Sequence, residues 1–178
     1  MGLDLIEFTL ALEDAFGVSI PDADLVVMDT PRRVIDYLVE RLPSAECALC
    51  LEQRAFYRLR EGVARAFGVA RERVRADTPW EELLGSIDKR RRWNLLQHAV
   101  AMPAWPRLPP WGTFSGDART VGATARYLAA YAPSALKPNS EGWTRSDIAR
   151  VVSSLMGYEL AVTEFTEDSR FVADLGCG

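Results

Sequence analysis

The chain has 178 residues, room for one domain or two small ones. Hydrophobic residues make up 48 %, enough for a packed core, and no apolar run approaches the length of a membrane span. No signal-peptide pattern is seen, so the expectation is a soluble cytoplasmic protein. Three cysteines (Cys47, Cys50, Cys177) do not suggest a disulfide scaffold. The net charge of −4 hides an uneven spread. Residues 1–46 hold ten acids and three bases, a balance of −7; 143–178 hold six acids and three bases, −3; the middle, 47–142, holds nine acids and fifteen bases, +6. Charge therefore groups the two ends together.

Leu5, Phe8, Leu12 and Phe16 recur at spacings of three and four and define one helix face. Gly17 stands where a helix ends in a left-handed residue, and Pro21 follows it. Thr30 caps a second helix with Pro31 at its first position, and Val34, Ile35, Leu38 and Leu42 form its stripe. Residues 43–50 read as a linker. Residues 51–68 read as a helix with Phe56, Leu59, Val63 and Phe67 on one face and Gly68 at its end. Thr78, Pro79 and Glu81 have the spacing of a capping box opening a short helix. A basic helix over 88–101 places Trp93, Leu96 and Val100 on one face, and Pro103 stops it. The run 102–112 has four prolines and two tryptophans and reads as extended. Thr120 begins a helix through Tyr131. Residues 133–142 form a second linker, and Ile148, Val151, Val152 and Leu155 stripe a last helix.

The first stretch runs Leu3-Asp4, Ile6-Glu7, Ala11-Leu12-Glu13, Phe16 and Ile20-Pro21-Asp22. In that order and spacing it resembles the second half of an acyl carrier protein, a family whose second helix opens on Asp-Ser-Leu-Asp. The family serine, which carries phosphopantetheine, falls on Gly2, where no phosphodiester can form. Residues 143–178 resemble the first half of the same family, and 51–132 a degenerate whole unit. Thr30/Tyr37/Leu38 and Thr120/Tyr127/Leu128 stand 90 residues apart, and Asp77-Thr78-Pro79-Trp80 and Asp168-Ser169-Arg170-Phe171 stand 91 apart, which suggests an internal repeat. The resemblance implies an all-α fold: two small antiparallel four-helix bundles, one permuted from 1–42 plus 143–178, the other inserted at 51–132. Exchange of halves between chains, giving a swapped homodimer or filament, is the alternative. A reading frame cut at the serine loop would give the same order.

The resemblance implies a carrier-type module rather than an enzyme. It would dock acyl- or ketide-processing enzymes of fatty acid or polyketide synthesis through the acids Asp4, Glu7, Glu13 and Asp14. Ser86 faintly echoes the attachment serine but also reads as a helix cap. The alternative is an interaction protein that binds a macromolecule through the basic helix 88–101, with Arg90, Arg91 and Arg92, and the Trp/Pro loop 102–112. Net negative charge and the lack of an RNA-binding motif argue against nucleic acid. Cys47-x-x-Cys50 has metal spacing, but Cys177 and His98 would be the only further ligands, so two ordinary thiols and no metal is the better reading. His98 has no nucleophile at motif spacing and reads as a structural histidine.

Overall fold

A computed structural model describes residues 2–46, 50–85, 87–109, 113–137 and 141–177. The architecture is all-α. Among the described residues the only β-type pairings are two isolated bridges, Ser44 with Trp143 and Pro79 with Thr120. The chain divides into two compact units. Unit 1 takes Met1–Leu49 and Lys137–Gly178, and unit 2 takes Cys50–Leu136.

Unit 1 contains α1 (Leu3–Phe16), α2 (Asp22–Leu25) and α3 (Pro31–Arg41). The C-terminal stretch adds the helix Arg145–Glu159, called α9 in chain order. Leu5, Phe8, Leu12 and Phe16 are buried, as their spacing predicts, and Gly17 closes α1 at φ 67°. Thr30 caps α3 by accepting the Arg33 N–H at 3.4 Å. Val34, Ile35 and Leu38 are buried, while Leu42 lies half-buried just past the helix end. Helix α9 packs on both α1 and α3 and buries Ile148, Val151, Val152 and Leu155. Thus α9, which arrives from the other end of the sequence, completes the core of α1 and α3. Burial of each such side chain contributes about 1.5–3 kcal/mol.

Two aromatic contacts cross the same divide. Phe8 meets Phe171 at 5.8 Å between centroids, and Phe16 meets Trp143 edge-on at 4.9 Å. The segments leading out of and back into unit 1 are tied together. The Trp143 N–H donates to Pro43 O at 2.6 Å, and the Ala45 N–H donates to Trp143 O at 3.0 Å. Gly142 lies so close that a Cβ there would fall 2.0 Å from Ser44 O. Lys137, buried, pairs with buried Asp147 at 3.6 Å and lies 4.5 Å from the Trp143 ring centroid. Both predicted linkers are therefore partly built into structure, and the remainder of each (47–49 and 138–140) lies outside the described residues.

Unit 2 contains α4 (Leu51–Phe67), α5 (Trp80–Leu84), α6 (Lys89–Val100), α7 (Val121–Tyr131) and α8 (Pro133–Leu136). Two expectations change here. The core face of α4 is Ala55, Leu59, Gly62 and Val63, with Phe56 and Phe67 only half-buried. The reason is close approach: a Cβ on Gly62 would lie 2.4 Å from Val100 Cγ2, so small residues turn inward against α6. The two rings stay at the margin, with the Arg60 and Arg92 guanidiniums 5.8 and 5.0 Å from their centroids. Thr78, in turn, does not cap α5. Its hydroxyl oxygen accepts the Arg75 N–H at 2.9 Å, and Pro79 is the N-cap residue. Thr120 does cap α7, accepting the Ala123 N–H at 3.1 Å.

Within itself, each unit makes the same set of loop hydrogen bonds. The Trp80 N–H donates to Arg119 O at 3.2 Å, and the Phe171 N–H donates to Asp29 O at 2.9 Å. The Gly122 N–H donates to Ala76 O at 2.7 Å, and the Arg32 N–H donates to Glu167 O at 2.8 Å. Thr78 Oγ1 accepts from the Arg75 N–H, and Ser169 Oγ accepts from the Thr166 N–H at 3.1 Å. Counterparts are 91 positions apart for 80/171, 76/167, 75/166 and 78/169, and 90 apart for 29/119 and 32/122. Gly85 and Gly176, also 91 apart, both adopt positive φ, 67° and 69°.

Candidate functional site

Helix α1 is apolar on two sides. Its inward stripe is Leu5, Phe8 and Leu12. A second stripe, Leu3, Ile6 and Leu10, faces solvent at 69, 41 and 54 % exposure. Asp4, Glu7 and Asp14 are exposed alongside it. Acids and leucines thus form one mixed face. Glu13 is set apart from that face: it is half-buried, and its carboxylate accepts the Ile20 N–H at 2.6 Å, tying α1 to the following loop. The exposed stripe went unread in the sequence, although the 3-6-10 spacing beside the 5-8-12 spacing carries it.

Gly2 is the N-cap of α1, at φ −68° and ψ 163°, with no side chain to cap the helix. Cys177 is buried nearby. Burial first, and then the Asp4 carboxylate, push its thiol above the usual range. This disfavours the thiolate, the reactive form. Beneath α1 lies an apolar cavity of about 400 Å³ walled by Phe8, Leu12, Leu25, Met28, Val34 and Phe171.

Charged groups hold the 167–171 loop against α3. Arg32 grips Asp168 with two hydrogen bonds, 2.6 and 2.9 Å. Arg145 reaches Glu167 at 2.6 Å and Asp36 at 3.4 Å. Arg32 holds the Asp168 carboxyl below its ordinary range, and Arg145 does the same for Glu167. The Tyr37 hydroxyl donates to Asp24 at 2.9 Å, and burial first, then that hydrogen bond, raises its pKa.

In unit 2, α6 begins at Lys89 after Asp88, an N-cap at φ 54° whose side chain makes no capping bond. Ser86 lies outside the described residues. Arg90 and Arg91 are exposed, whereas Arg92 is half-buried over Phe67. Trp93 is the centre of an aromatic stack, with Trp80, Trp105 and Phe114 at 5.2, 4.9 and 5.4 Å. Its indole N–H donates to Pro106 O at 3.0 Å. The predicted extended segment after α6 therefore packs its first tryptophan onto the bundle; 110–112 lie outside the described residues. His98 is exposed, its Nδ1 2.6 Å from Asn94 O. Cys47 also lies outside the described residues, and Cys50 is exposed. Among the described residues no group of three or more potential ligands gathers around a metal position, and no helix is long and apolar enough to cross a membrane.

No protein-family model matches the chain, and no solved structure matches it. Curated proteins do. Acyl carrier protein 2 of Pseudomonas aeruginosa is 45 % identical over 42 residues, 24 % of this chain and 53 % of that protein. The acyl carrier protein of Rubrobacter xylanophilus is 45 % identical over 38 residues, 21 % of this chain and 47 % of that protein. The chain spans about half the length of the curated relatives it matches. It contains a segment similar to acyl carrier proteins, within an all-helical structure.

Proposed function

We propose that the chain is a carrier-type docking module, a cytoplasmic binding protein rather than an enzyme, in which unit 1 presents α1 to acyl- or ketide-processing enzymes. One observation carries this reading: the exposed alternation of Leu3, Ile6 and Leu10 with Asp4, Glu7 and Asp14. Apolar groups give such a face binding energy, and the carboxylates steer a basic partner and fix its register. The apolar cavity under α1 is in keeping with acyl chemistry. Phosphopantetheine does not fit at the α1 N-cap, because Gly2 offers no hydroxyl to carry it. The α6 N-cap is Asp88, which has none either. The assembly of unit 1 from both chain ends supports a permuted carrier bundle, and the hydrogen bonds repeated at 90 and 91 residues support a duplicated one.

The test is binding of the full chain to a purified phosphopantetheinyl transferase, an enzyme that must grip carrier helices. Wild type should bind in a salt-sensitive manner, and D4K/E7K/D14K should weaken binding at least about tenfold. Replacing Leu3, Ile6 and Leu10 with serine should weaken it at all salt concentrations. Equal binding by all three proteins would remove α1 from the function.

A further inference from the structure

Unit 2 contains a groove whose chemistry is one-sided. It runs between α6 and the extended residues 103–108, holds about 590 Å³, and is lined by Arg90, Asn94, Gln97, Trp105 and Arg107 among others. Its lining includes two guanidiniums and two amides and no acid, with Arg90 also donating to Pro109 O at 3.5 Å. The Trp105 indole N–H is shielded from solvent and meets no acceptor among the described residues. Trp93, its neighbour in the stack, has its own N–H matched by Pro106 O. Being shielded, the Trp105 donor adds nothing to the open face of the groove, whose donors are the arginines and amides. Arg107 and the adjacent exposed Arg91 make no ion pair among the described residues.

The chain also holds the complementary surface. Over its full span, unit 2 has fourteen bases and eight acids, a balance of +6. Unit 1 has seven bases and seventeen acids, −10. On α1 the exposed acids Asp4, Glu7 and Asp14 repeat at helical spacing, so one helix face can offer several carboxylates in a row. The groove volume suits side chains and not a helix body.

We propose that the α6–Pro/Trp groove of one copy receives the acidic face of α1 from a second copy, so that the protein self-associates through opposite charges. A contact between unlike surfaces is heterologous and closes into rings or extends into filaments. The inference needs only this chain's charges and groove, and it stands whether or not unit 1 docks an acyl-processing enzyme.

Sedimentation velocity on the full chain tests it. Wild type should form larger species at about 20 mM salt and be monomeric at about 500 mM, where screening is short-ranged. D4K/E7K/D14K and R90E/R91E/R107E should each raise the dissociation constant at least about tenfold, with helicity unchanged by circular dichroism. Mixing the two variants should restore a complex, because the basic groove of one then meets the acidic α1 of the other. A wild type that stays monomeric at low salt would overturn the proposal. So would an oligomer indifferent to the groove reversal, which would point to exchanged halves, or a mixture that fails to reassemble.

Discussion

Units 1 and 2 close their loops with the same backbone hydrogen bonds and then diverge in what they expose and what they fill. In unit 1, α1 shows acids and apolar side chains to solvent and leaves an apolar cavity of about 400 Å³ beneath. In unit 2, α6 shows arginines, and Trp80, Trp105 and Phe114 each pack on Trp93. The loop geometry is common while surface charge and core filling are not. The frame therefore tolerates a change of surface, and function has to be argued from each surface separately.

The aromatic stack gives the sharpest way to break that comparison. Trp93→Ala should cost unit 2 about 3–5 kcal/mol, because it removes the centre of the stack and the bond to Pro106 O. Urea unfolding followed by hydrogen exchange should show α4, α6 and α7 destabilised and α1, α3 and α9 unchanged. Leu155→Ala on α9 should do the reverse at about 2–5 kcal/mol, since Leu155 is fully buried in unit 1. A smaller effect is expected at Gly62, where alanine should cost about 1–3 kcal/mol by overpacking Val100. Pairing it with Val100→Ala should return part of that loss in a double-mutant cycle.

The smallest expected effect is electrostatic and belongs to unit 1. Glu167 and Asp168 are held below their ordinary range by Arg145 and Arg32. A depressed carboxylate stabilises the fold above its unfolded pKa, and that contribution is lost as pH falls through the folded value. Unit 1 should therefore lose stability as pH drops below about 4, with the profile flattened in R32A/R145A. The pairs are largely exposed, so the effect should be modest and shrink with added salt.

Much of the fold was legible because local signals and burial agreed. Thr30 and Thr120 cap helices, Gly17 and Gly68 end them at positive φ, and the stripes of α1, α3, α6 and α9 face inward. Two of the misreadings come from partners distant in sequence. The face of α4 turned toward Gly62 and Ala55 because α6 comes close, which the periodicity of α4 alone does not encode. Thr78 serves its own loop, since Pro79 is drawn into a bridge with Thr120. The short helices α2 and α8 carry too few residues to show a period. Of the site, the acids of α1 were readable, but their separation from Glu13 depends on the Ile20 N–H. The groove beside α6 depends on how Trp105 folds back onto Trp93.

Intact-protein mass after incubation with coenzyme A and a broad-specificity phosphopantetheinyl transferase separates a docking module from an active carrier. On the proposed reading, wild type should gain nothing, and Gly2→Ser should gain one phosphopantetheine mapped to the new serine, the hydroxyl being restored at the α1 N-cap. A gain on wild type would show an active carrier and contradict the docking-module account. A folded Gly2→Ser protein that stays unmodified would contradict the carrier-type reading of unit 1.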